Sequence, residues 1–456
     1  METYLKALEK IFWAGVARVD PEALIHDCLH LKGDALTVDA GEDRVEYDIS
    51  RFNRVVVIGF GKATARMAKA VEKTLGSRID EGLIAVKYSH TESLDRIRTI
   101  EAGHPVPDQS GMEAARQIAD LARQADEGTL VITLISGGGS ALIPCPWSGS
   151  VGQRQVTLTL EQKQAATEVL LRCGATINEI NCLRKHLSQI KGGWLARMIH
   201  PAASLNLILS DVVGDRLDAI ASGPTTWDET TFDDALRIVE KYDIEADLPE
   251  AVLRIFSLGA KGAIPETPKK DDPVFENVNN LLVGTNYHSL EAAAKAAKTL
   301  GFSPAVLSSQ IVGEAREVAK VYCGIGKDAR RKGLFGPRPL CLIGGGETTV
   351  TVKGSGKGGR NQEMALAFLA ETEQDPAAAE GLYFLAASTD GNDGPTDAAG
   401  AFACSKILRD AERLGLRPAD YLKNNDAYSF FDACGRLLKT GPTNTNVCDI
   451  QLLIVS

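Results

Sequence analysis

From residue 55 onward the chain repeats one pattern, in which a short apolar run is followed by a polar turn and then a longer amphipathic segment. The apolar runs lie at 55–58, 83–86, 130–135, 205–209, 281–283, 305–307, 340–343, 383–387 and 450–455. Continuous apolar runs are typical of strands that are covered on both faces. Helical spacing of apolar side chains is found at 4–19, 63–75, 111–124, 160–172, 178–198, 289–300, 313–327 and 364–370, and two more helices are expected within 228–255. The alternation predicts an α/β fold with a mainly parallel sheet.

The length of the chain and one stretch rich in glycine and proline predict how the chain divides into domains. A chain of 456 residues is too long for one ordinary hydrophobic core, so two or three domains are expected. Residues 258–274 are rich in Gly, Pro, Lys and Asp and show no periodicity, as is typical of a linker. We therefore predict a Rossmann-like α/β domain at 1–257 and a second α/β domain at 275–456.

Composition limits the partners and the location. The hydrophobic content of 44% and the charged content of 24% are ordinary for a globular protein. A net charge of −10 argues against a general nucleic-acid binder, and no apolar run approaches the ~20 residues of a membrane span. Nine cysteines without a C-x-x-C pair indicate reduced thiols, and the N-terminus lacks the apolar core of a signal peptide. We expect a cytoplasmic protein with no nucleic-acid or membrane partner.

The first candidate for chemistry is a strand, a glycine-rich turn and a helix. The run at 55–58 leads into Gly59, Gly61 and Lys62, and a helix follows. A helix N-terminus attracts anions through its free amides and its dipole, and Lys62 adds a full charge. A dinucleotide fingerprint fits poorly, since Thr64 replaces the third glycine and the next strand ends in Lys87 instead of an acidic residue. The turn therefore favours a phosphate or a small anion over NAD.

Two more strands end in glycines. The run at 130–135 is followed by Ser136, Gly137, Gly138, Gly139 and Ser140, and the run at 340–343 by Gly344, Gly345, Gly346 and Glu347. After the alternating segment 348–352, the loop 354–359 contains Lys357 and leads into Arg360. Successive glycine amides beside cations can form an anion-binding concavity. The alternative is a flexible hairpin on a solvated basic loop.

Acidic side chains follow two of the strands. Asp211 and Asp215 come after the run at 205–209, and Asp390 comes after the run at 383–387. Ligands of open parallel sheets lie beyond the carboxyl ends of the strands, and Mg²⁺ takes one or two carboxylates together with phosphate oxygens. We expect these residues on the ligand side, although capping or turn formation would also explain them. The segment 390–401 fails the EF-hand pattern for calcium.

Other cationic groups are candidates for binding the anionic part of a substrate. His104 lies in a loop between glycine and two prolines, which makes the loop stiff. Arg184, Lys185 and Lys191 share one face of the predicted helix 178–198. An ordinary solvated face, or a structural histidine, is the competing interpretation.

Together these motifs resemble, in order, those of the class II glycerate 2-kinases, which carry a MOFRL-type C-terminal domain. The matching stretches are GFGKA, GHPVPD, SGGGSAL, NCLRKHLSQIKGG, SDVVGD, IASGPT, GGGETTV, GKGGRNQE, STDGNDGPTDAAGA and TGPTNTNV. The resemblance implies transfer of the γ-phosphoryl group of ATP to the 2-hydroxyl of D-glycerate, giving 2-phosphoglycerate. It also implies two α/β domains with the active site in the cleft between them. The family's proposed active-site lysine and arginine fall on Lys62 and Arg360.

The roles that follow from this resemblance are expectations. Lys62, Arg360, Asp211 and Asp390 are the expected catalytic residues, with Mg²⁺ held by Asp211, Asp215 or Asp390. The glycine loops and the cationic face of 178–198 are the expected sites for phosphate and for the carboxylate of glycerate, and a homodimer is one candidate assembly. Two alternatives are an NAD(P)H-dependent hydroxypyruvate reductase and a non-catalytic organic-acid sensor. Segment 148–154 is longer than the usual loop of the family and is expected to affect substrate access.

Overall fold

A computed structural model describes residues 1–41 and 43–456. Its helices are α1 Glu2–Arg18, α2 Pro21–Cys28, α3 Thr64–Leu75, α4 Gln109–Arg123, α5 Gly139–Leu142, α6 Leu160–Arg172, α7 Ile177–His186, α8 Trp194–Ile199, α9 Phe232–Lys241, α10 Glu250–Ala260, α11 Asn286–Thr299, α12 Ala315–Lys332, α13 Arg360–Gln374, α14 Pro376–Ala379, α15 Ser405–Arg413, α16 Pro418–Lys423 and α17 Ala427–Ala433. Its strands are β1 Leu29–Lys32, β2 Ala35–Ala40, β3 Asp43–Asp48, β4 Arg54–Phe60, β5 Glu81–Lys87, β6 Ile97–Ala102, β7 Thr129–Ile135, β8 Ser148–Val151, β9 Arg154–Thr157, β10 Ala203–Leu209, β11 Val278–Gly284, β12 Ser303–Ile311, β13 Leu340–Gly346, β14 Leu382–Ser388, β15 Gly400–Cys404, β16 Leu437–Leu438 and β17 Asp449–Val455.

The chain forms two compact units whose limits differ from the predicted domains. The N-terminal unit is Pro21–Val283, and the C-terminal unit combines Gly284–Ser456 with Met1–Asp20. The first boundary was missed because the apolar stripe of α1 does not reveal which core it joins. The predicted linker 258–274 belongs to the N-terminal unit, where Glu266 bonds His186 at 2.8 Å and Thr267 bonds Asp228 at 3.1 Å.

The N-terminal unit contains the predicted Rossmann-like sheet. Its six strands lie in the order β11-β10-β7-β4-β5-β6, and the neighbouring strands from β10 to β6 are all parallel. The chain builds outward from β4 in one direction through β5 and β6, and then returns to place β7 on the other side of β4. This reversal between β4 and β7 is a topological switch point, where the loops that follow two adjacent strands diverge and leave a crevice.

Two small sheets accompany the main sheet of this unit. Strands β1 to β3 form an antiparallel sheet, and β8 pairs with β9 in a hairpin. The segment 148–154, expected to be a long loop, is therefore mostly strand. Gly152, at the turn between the two strands, has a φ of 61°, which glycine adopts without steric cost.

The C-terminal unit contains a mixed sheet built around the last strand. The order is β12-β13-β17-β14-β15-β16, with β12 and β13 parallel and every later pair antiparallel. Because β13 and β14 are both antiparallel to β17, the carboxyl ends of these two strands flank the first residue of β17. Helix α1 packs on this unit, and Leu8, Ile11 and Phe12 are fully buried in its core.

One local prediction was wrong in an instructive way. The helix expected at 178–198 ends at His186 and resumes at Trp194, because Gly192 and Gly193 adopt positive φ angles. Their amides donate to the carbonyls of Ser222 and Gly223 at 3.0 and 2.8 Å, so tertiary contacts replace the helical ones. The alternating segment 348–352 forms an isolated bridge between Thr349 and Glu314.

Among the described residues, no helix combines the length and the apolar character that crossing a membrane requires.

Because α1 packs into the core of the C-terminal unit, a cavity made in this helix should destabilise that unit. Phe12→Ala removes a fully buried ring and should lower the free energy of unfolding by ~3–5 kcal/mol. Chemical denaturation measures the loss, and hydrogen exchange should show weaker protection in β13 and β17 than in β4 and β7. The matched control is Trp13→Ala, since the neighbouring ring is 39% exposed and should cost much less. Equal losses for the two variants, or lost protection confined to the Pro21–Val283 unit, would contradict the assignment.

Candidate active site

The loops that follow β4 and β7 are joined at the switch point by short contacts. The Lys62 amide donates to the Gly137 carbonyl at 2.9 Å, and the Ala63 amide donates to Ser136 Oγ at 3.1 Å. Gly61 has a φ of 142°, and a Cβ atom there would lie 2.0 Å from Ser136 Oγ. The two loops therefore bind each other through the amides that the sequence had assigned to an anion.

Three polar side chains converge on Gly137 and Gly138. A Cβ atom on Gly137 would lie 2.0 Å from Asp211 Oδ2. A Cβ atom on Gly138 would lie 2.9 Å from His104 Nε2 and 3.1 Å from Lys62 Cε. Both glycines are therefore required by the close approach of these side chains, and the structure brings together the predicted residues Lys62, His104 and Asp211.

The charges in this group are set by burial and by Lys62. Burial lowers the pKa of His104 to about 4, and the positive charges of Lys62 and Lys87 contribute to the shift. His104 is therefore a neutral imidazole at pH 7. Burial raises the pKa of Asp211, and the Lys62 ammonium opposes that shift. The group thus consists of one cation, one neutral hydrogen-bonding ring and one carboxylate with enhanced proton affinity.

The remaining glycines of these loops serve packing. Gly59 lies inside β4, where a Cβ atom would be 2.8 Å from the Leu134 carbonyl oxygen. Gly139 begins the short helix α5, and a Cβ atom there would be 2.7 Å from the ring of Phe60.

The cationic residues of segment 178–198 separate into two environments. Lys191 Nζ donates to the Ser140 carbonyl at 2.8 Å, which places this lysine at the end of the Ser136–Ser140 loop. Arg184 is half-buried, and burial lowers its pKa. Lys185 is different, because its Nζ lies 3.2 Å from carboxylate oxygens of both Asp218 and Asp228. These carboxylates compete with any anionic ligand, so the geometry favours a structural role for Lys185.

In the C-terminal unit the predicted Arg360 is held by acidic side chains at the sheet edge. Its Nε and one terminal nitrogen donate to the two oxygens of Asp449 at 2.6 and 2.9 Å, and its other terminal nitrogen lies 2.9 Å from Glu347. Asp449 is fully buried and pairs in register with Gly346 on one side and Ser388 on the other. Burial alone would lower the pKa of Arg360, but the neighbouring carboxylates, Asp449 foremost, raise it.

Sequence reasoning missed two acidic residues of this site. Asp449 escaped notice because it precedes the last strand, and only the antiparallel pairing of β17 carries it to the ends of β13 and β14. The second is Asp393, in the segment 390–401. It accepts hydrogen bonds from the Asn361 and Gln362 amides at 3.0 and 2.8 Å, at the start of α13. Burial raises the pKa of Asp393 to about 7 despite these bonds.

The glycine-lysine loop after Glu347 is occupied by the protein's own side chains. The amides of Lys353 and Gly354 donate to Asn425 Oδ1 at 2.8 and 3.0 Å, and the amide of Lys357 donates to Asp426 Oδ1 at 3.0 Å. The ammonium of Lys357 lies 4.2 Å from the ring centroid of Tyr428. The predicted concavity therefore exists, but oxygens of this chain fill it.

The glycine triplet before Glu347 lies inside β13 and not in a loop. A Cβ atom on Gly345 would lie 2.1 Å from Asn286 Oδ1, and one on Gly346 would lie 2.2 Å from the Ile311 carbonyl oxygen. Gly345 and Gly346 thus allow neighbouring elements to pack closely against the sheet.

The predicted metal ligands are spread over separate loops. Among the described residues, no group of three or more His, Cys, Asp or Glu side chains has the arrangement of a metal site. Asp390 Oδ1 accepts hydrogen bonds from Ser388 Oγ and from the Asn392 amide, both at 2.9 Å. Asp215 has a φ of 53° in a turn closed by its own amide. Asp211 is the predicted metal ligand that lies beside Lys62.

Arg360 is held by the carboxylates of Asp449 and Glu347, and replacing these two carboxylates should lower the free energy of unfolding by different amounts. Asp449→Asn removes the buried charge that Arg360 faces and should lower the free energy of unfolding by ~3–5 kcal/mol. The control is Glu347→Gln, at the exposed end of the same guanidinium, where a loss of at most ~1 kcal/mol is expected. Urea denaturation of both variants measures the difference. Similar small losses would show that Asp449 does not hold Arg360 in solution.

Comparison with known proteins assigns the family. A family model described as "domain of unknown function (DUF4147)" matches residues 7–257, and the model of the MOFRL family matches residues 340–449. Over 439 residues the chain is 40% identical to the D-glycerate 2-kinase of Thermotoga maritima, covering 96% of this chain and 99% of that protein. It is 38% identical over 452 residues to an Agrobacterium vitis protein named a putative hydroxypyruvate reductase, covering 99% of this chain and 94% of that protein.

A solved structure agrees with this assignment. The crystal structure of a glycerate kinase from Thermotoga maritima matches with a TM-score of 0.84 at 38% identity, and the match covers 100% of both chains. The predicted α/β fold with a second domain is therefore confirmed. The chain belongs to the family that joins a DUF4147 domain to a MOFRL domain, the class II glycerate 2-kinase family whose motifs it carries.

Proposed function

We propose that the protein is an ATP-dependent glycerate 2-kinase, which transfers the γ-phosphoryl group of ATP to the 2-hydroxyl of D-glycerate. The observation that carries the proposal is the convergence of Lys62, His104 and Asp211 on Gly137 and Gly138, at the switch point of the parallel sheet. The similarity to the D-glycerate 2-kinase of Thermotoga maritima supports the substrate.

The chemistry of phosphoryl transfer fits this group of residues. The oxygen–phosphorus bond to ADP breaks as the glycerate 2-oxygen bonds phosphorus, so the enzyme has to align the reactants and balance the charge on the moving group. Lys62 is the cation available at this point of the N-terminal unit. Asp211 is the carboxylate that lies beside Lys62 and His104, where it can accept the hydroxyl proton. The neutral imidazole of His104 orients the hydroxyl through a hydrogen bond.

Arg360 remains the proposed second cation of the reaction. Its guanidinium is fixed by Asp449 and Glu347, so its direction is set before any substrate binds. The guanidinium carries five N–H donors, of which two donate to Asp449, so it can also donate to a phosphoryl oxygen. Arg360, Asp211 and Lys62 are therefore our proposed catalytic residues. Asp390 is proposed only to shape the loop after β14, because Ser388 and Asn392 hold one of its oxygens.

Mg²⁺ is a proposed companion of ATP. Mg²⁺ with a nucleotide needs only one or two protein carboxylates, since phosphate oxygens and waters complete its shell, and Asp211 beside Lys62 fits that requirement. When bound, the ion would neutralise phosphate charge.

The reductase alternative is less well supported. The strand order of the N-terminal sheet suits a dinucleotide, and some relatives carry the name putative hydroxypyruvate reductase. However, the amides of Lys62 and Ala63, which a pyrophosphate would use, bind Gly137 and Ser136. Strand β5, which follows α3, also ends in Lys87, whereas binding a ribose would need a carboxylate at this position.

The product separates the proposed reaction from its rivals. With D-glycerate and ATP the protein should release ADP, and its product should feed enolase directly, because enolase accepts 2-phosphoglycerate. A product that enolase uses only after a mutase is added would mean transfer to the 3-hydroxyl. Oxidation of NADH with hydroxypyruvate and no ADP release would establish the reductase, and no turnover in either assay would favour the sensor.

Loss of the Lys62 charge should affect turnover more than folding. Lys62→Ala should lower kcat by roughly 10²–10³, because a group that stabilises developing charge is removed from a prearranged site. The control is Lys73→Ala, which deletes a more exposed lysine of the following helix and should leave kcat close to wild type. Steady-state kinetics measures the effect, and circular dichroism reports folding. Wild-type turnover in the Lys62 variant would remove this lysine from the mechanism.

A further inference from the structure

A second group of cations lies at the far end of the Ser136–Ser140 loop and has no role in the phosphoryl chemistry described above. It consists of Lys163 from α6, Arg184 from α7 and Lys191 from the turn before α8. The side chain of Lys163 is 7% exposed, and its Nζ atom is buried without a hydrogen-bond partner among the described residues. A buried ammonium without a partner is unfavourable unless the protein needs it for a ligand.

Backbone contacts bring these elements together. The Gln189 amide donates to the Cys145 carbonyl at 2.9 Å, which fixes the turn carrying Lys191 against the chain that follows α5. Lys191 Nζ then reaches the Ser140 carbonyl at 2.8 Å. On the other side, Gln164 Nε2 donates to the Pro107 carbonyl at 2.7 Å. Helix α6 is thereby attached to the loop that carries His104, and Lys163 is close enough to Cys145 and Arg184 for their charges to affect it.

The electrostatics of the group indicate a missing negative charge. Burial lowers the pKa of Lys163 to about 8, the Cys145 thiol opposes the shift, and the Arg184 guanidinium adds to it. Burial also lowers the pKa of Lys191 well below its usual value, and Lys163 and Arg184 lower it further. The Cys145 thiol does not supply the missing charge, because burial raises its pKa. The three neighbouring cations repel one another, which lowers the pKa values of the two lysines. An oxyanion bound among them would offset this repulsion.

We propose that Lys163, Arg184 and Lys191 form the subsite for the carboxylate of the 2-hydroxy acid, an inference that rests on the proposed kinase function. The carboxylate carbon of such a substrate is bonded directly to the carbon that carries the reacting hydroxyl. Its subsite therefore has to lie close to the reaction centre. Gly138, beside Lys62, and Ser140, beside Lys191, are two residues apart, a distance of at most ~7–8 Å.

Lys163→Met tests the subsite, because methionine keeps the length and most of the volume of the side chain. We expect the KM for D-glycerate to rise by about 10- to 100-fold, the value of a charge-assisted hydrogen bond, with the KM for ATP unchanged. The melting temperature without ligand should stay the same or rise, because an unpartnered buried ammonium is removed. D-glycerate alone should raise the melting temperature of the wild type and not that of the variant. Arg172→Met, which removes an exposed cation from the same helix, is the matched control and should behave as wild type.

Each other result overturns the proposal in a distinct way. An unchanged KM for D-glycerate excludes Lys163 from the subsite, and a KM increase for ATP alone would assign the cations to a phosphate. A lower melting temperature without a kinetic effect would make Lys163 a structural lysine. If Lys163→Met does not fold, Lys163→Gln, which keeps a polar end, is subjected to the same measurements. If the wild type releases no ADP from ATP and glycerate, the proposed function fails by itself. The subsite fails separately if D-glycerate does not raise the wild-type melting temperature.

Discussion

The close approach of two backbone loops at the switch point is the constraint on which the N-terminal site depends. Gly61 has to lie against Ser136, and Gly137 has to lie against Asp211, at separations that no side chain permits. Parallel strands with the reversal between β4 and β7 bring the loops side by side, and the hydrogen bond from Lys62 to Gly137 fixes their register. The glycines are needed for the close approach of neighbouring loops more than for anion binding. They allow a lysine, a histidine and an aspartate from three different loops to share one small volume.

The C-terminal unit reaches a comparable precision by different means. There the arginine is positioned by charge, because the buried carboxylate of Asp449 engages the guanidinium through two hydrogen bonds. The sheet makes this possible, since an antiparallel central strand carries its first residue to the carboxyl ends of both neighbours. Such a pair adds little to stability relative to apolar residues of the same shape, but it fixes direction. A fixed guanidinium loses less conformational entropy when it meets a phosphoryl group.

Much of the fold was predictable from the sequence, whereas the assembly of the sites was only partly so. All nine predicted apolar runs became strands, and most of these strands are buried on both faces, whereas β12, at the edge of its sheet, is only partly buried. Tertiary contacts decided what periodicity left open. The helix predicted at 178–198 breaks because the carbonyls of Ser222 and Gly223 bind the amides of Gly192 and Gly193. Asp449 gave no signal, since its importance follows from strand pairing alone. The amides of the loop around Lys357 bind oxygens of Asn425 and Asp426, residues far along the chain that local composition does not reveal.

The distribution of charge connects the fold with the assembly of the proposed sites. The chain carries a net charge of −10, so it gains no general attraction for anionic substrates and has to concentrate cations locally. Surface lysines do this without cost, but Lys163 and Lys191 are almost completely buried, and Lys163 makes no hydrogen bond among the described residues. A core of this packing would be more stable with an apolar side chain at position 163. Retaining a lysine there is explained if stability is exchanged for binding, because interactions in a desolvated site are stronger than the same interactions in water. The same argument separates Lys185, which is equally buried but lies between two carboxylates, from its neighbours in the sequence. Burial alone therefore does not identify a ligand-binding cation; the proposal for Lys163 rests on burial together with the lack of a hydrogen-bond partner among the described residues.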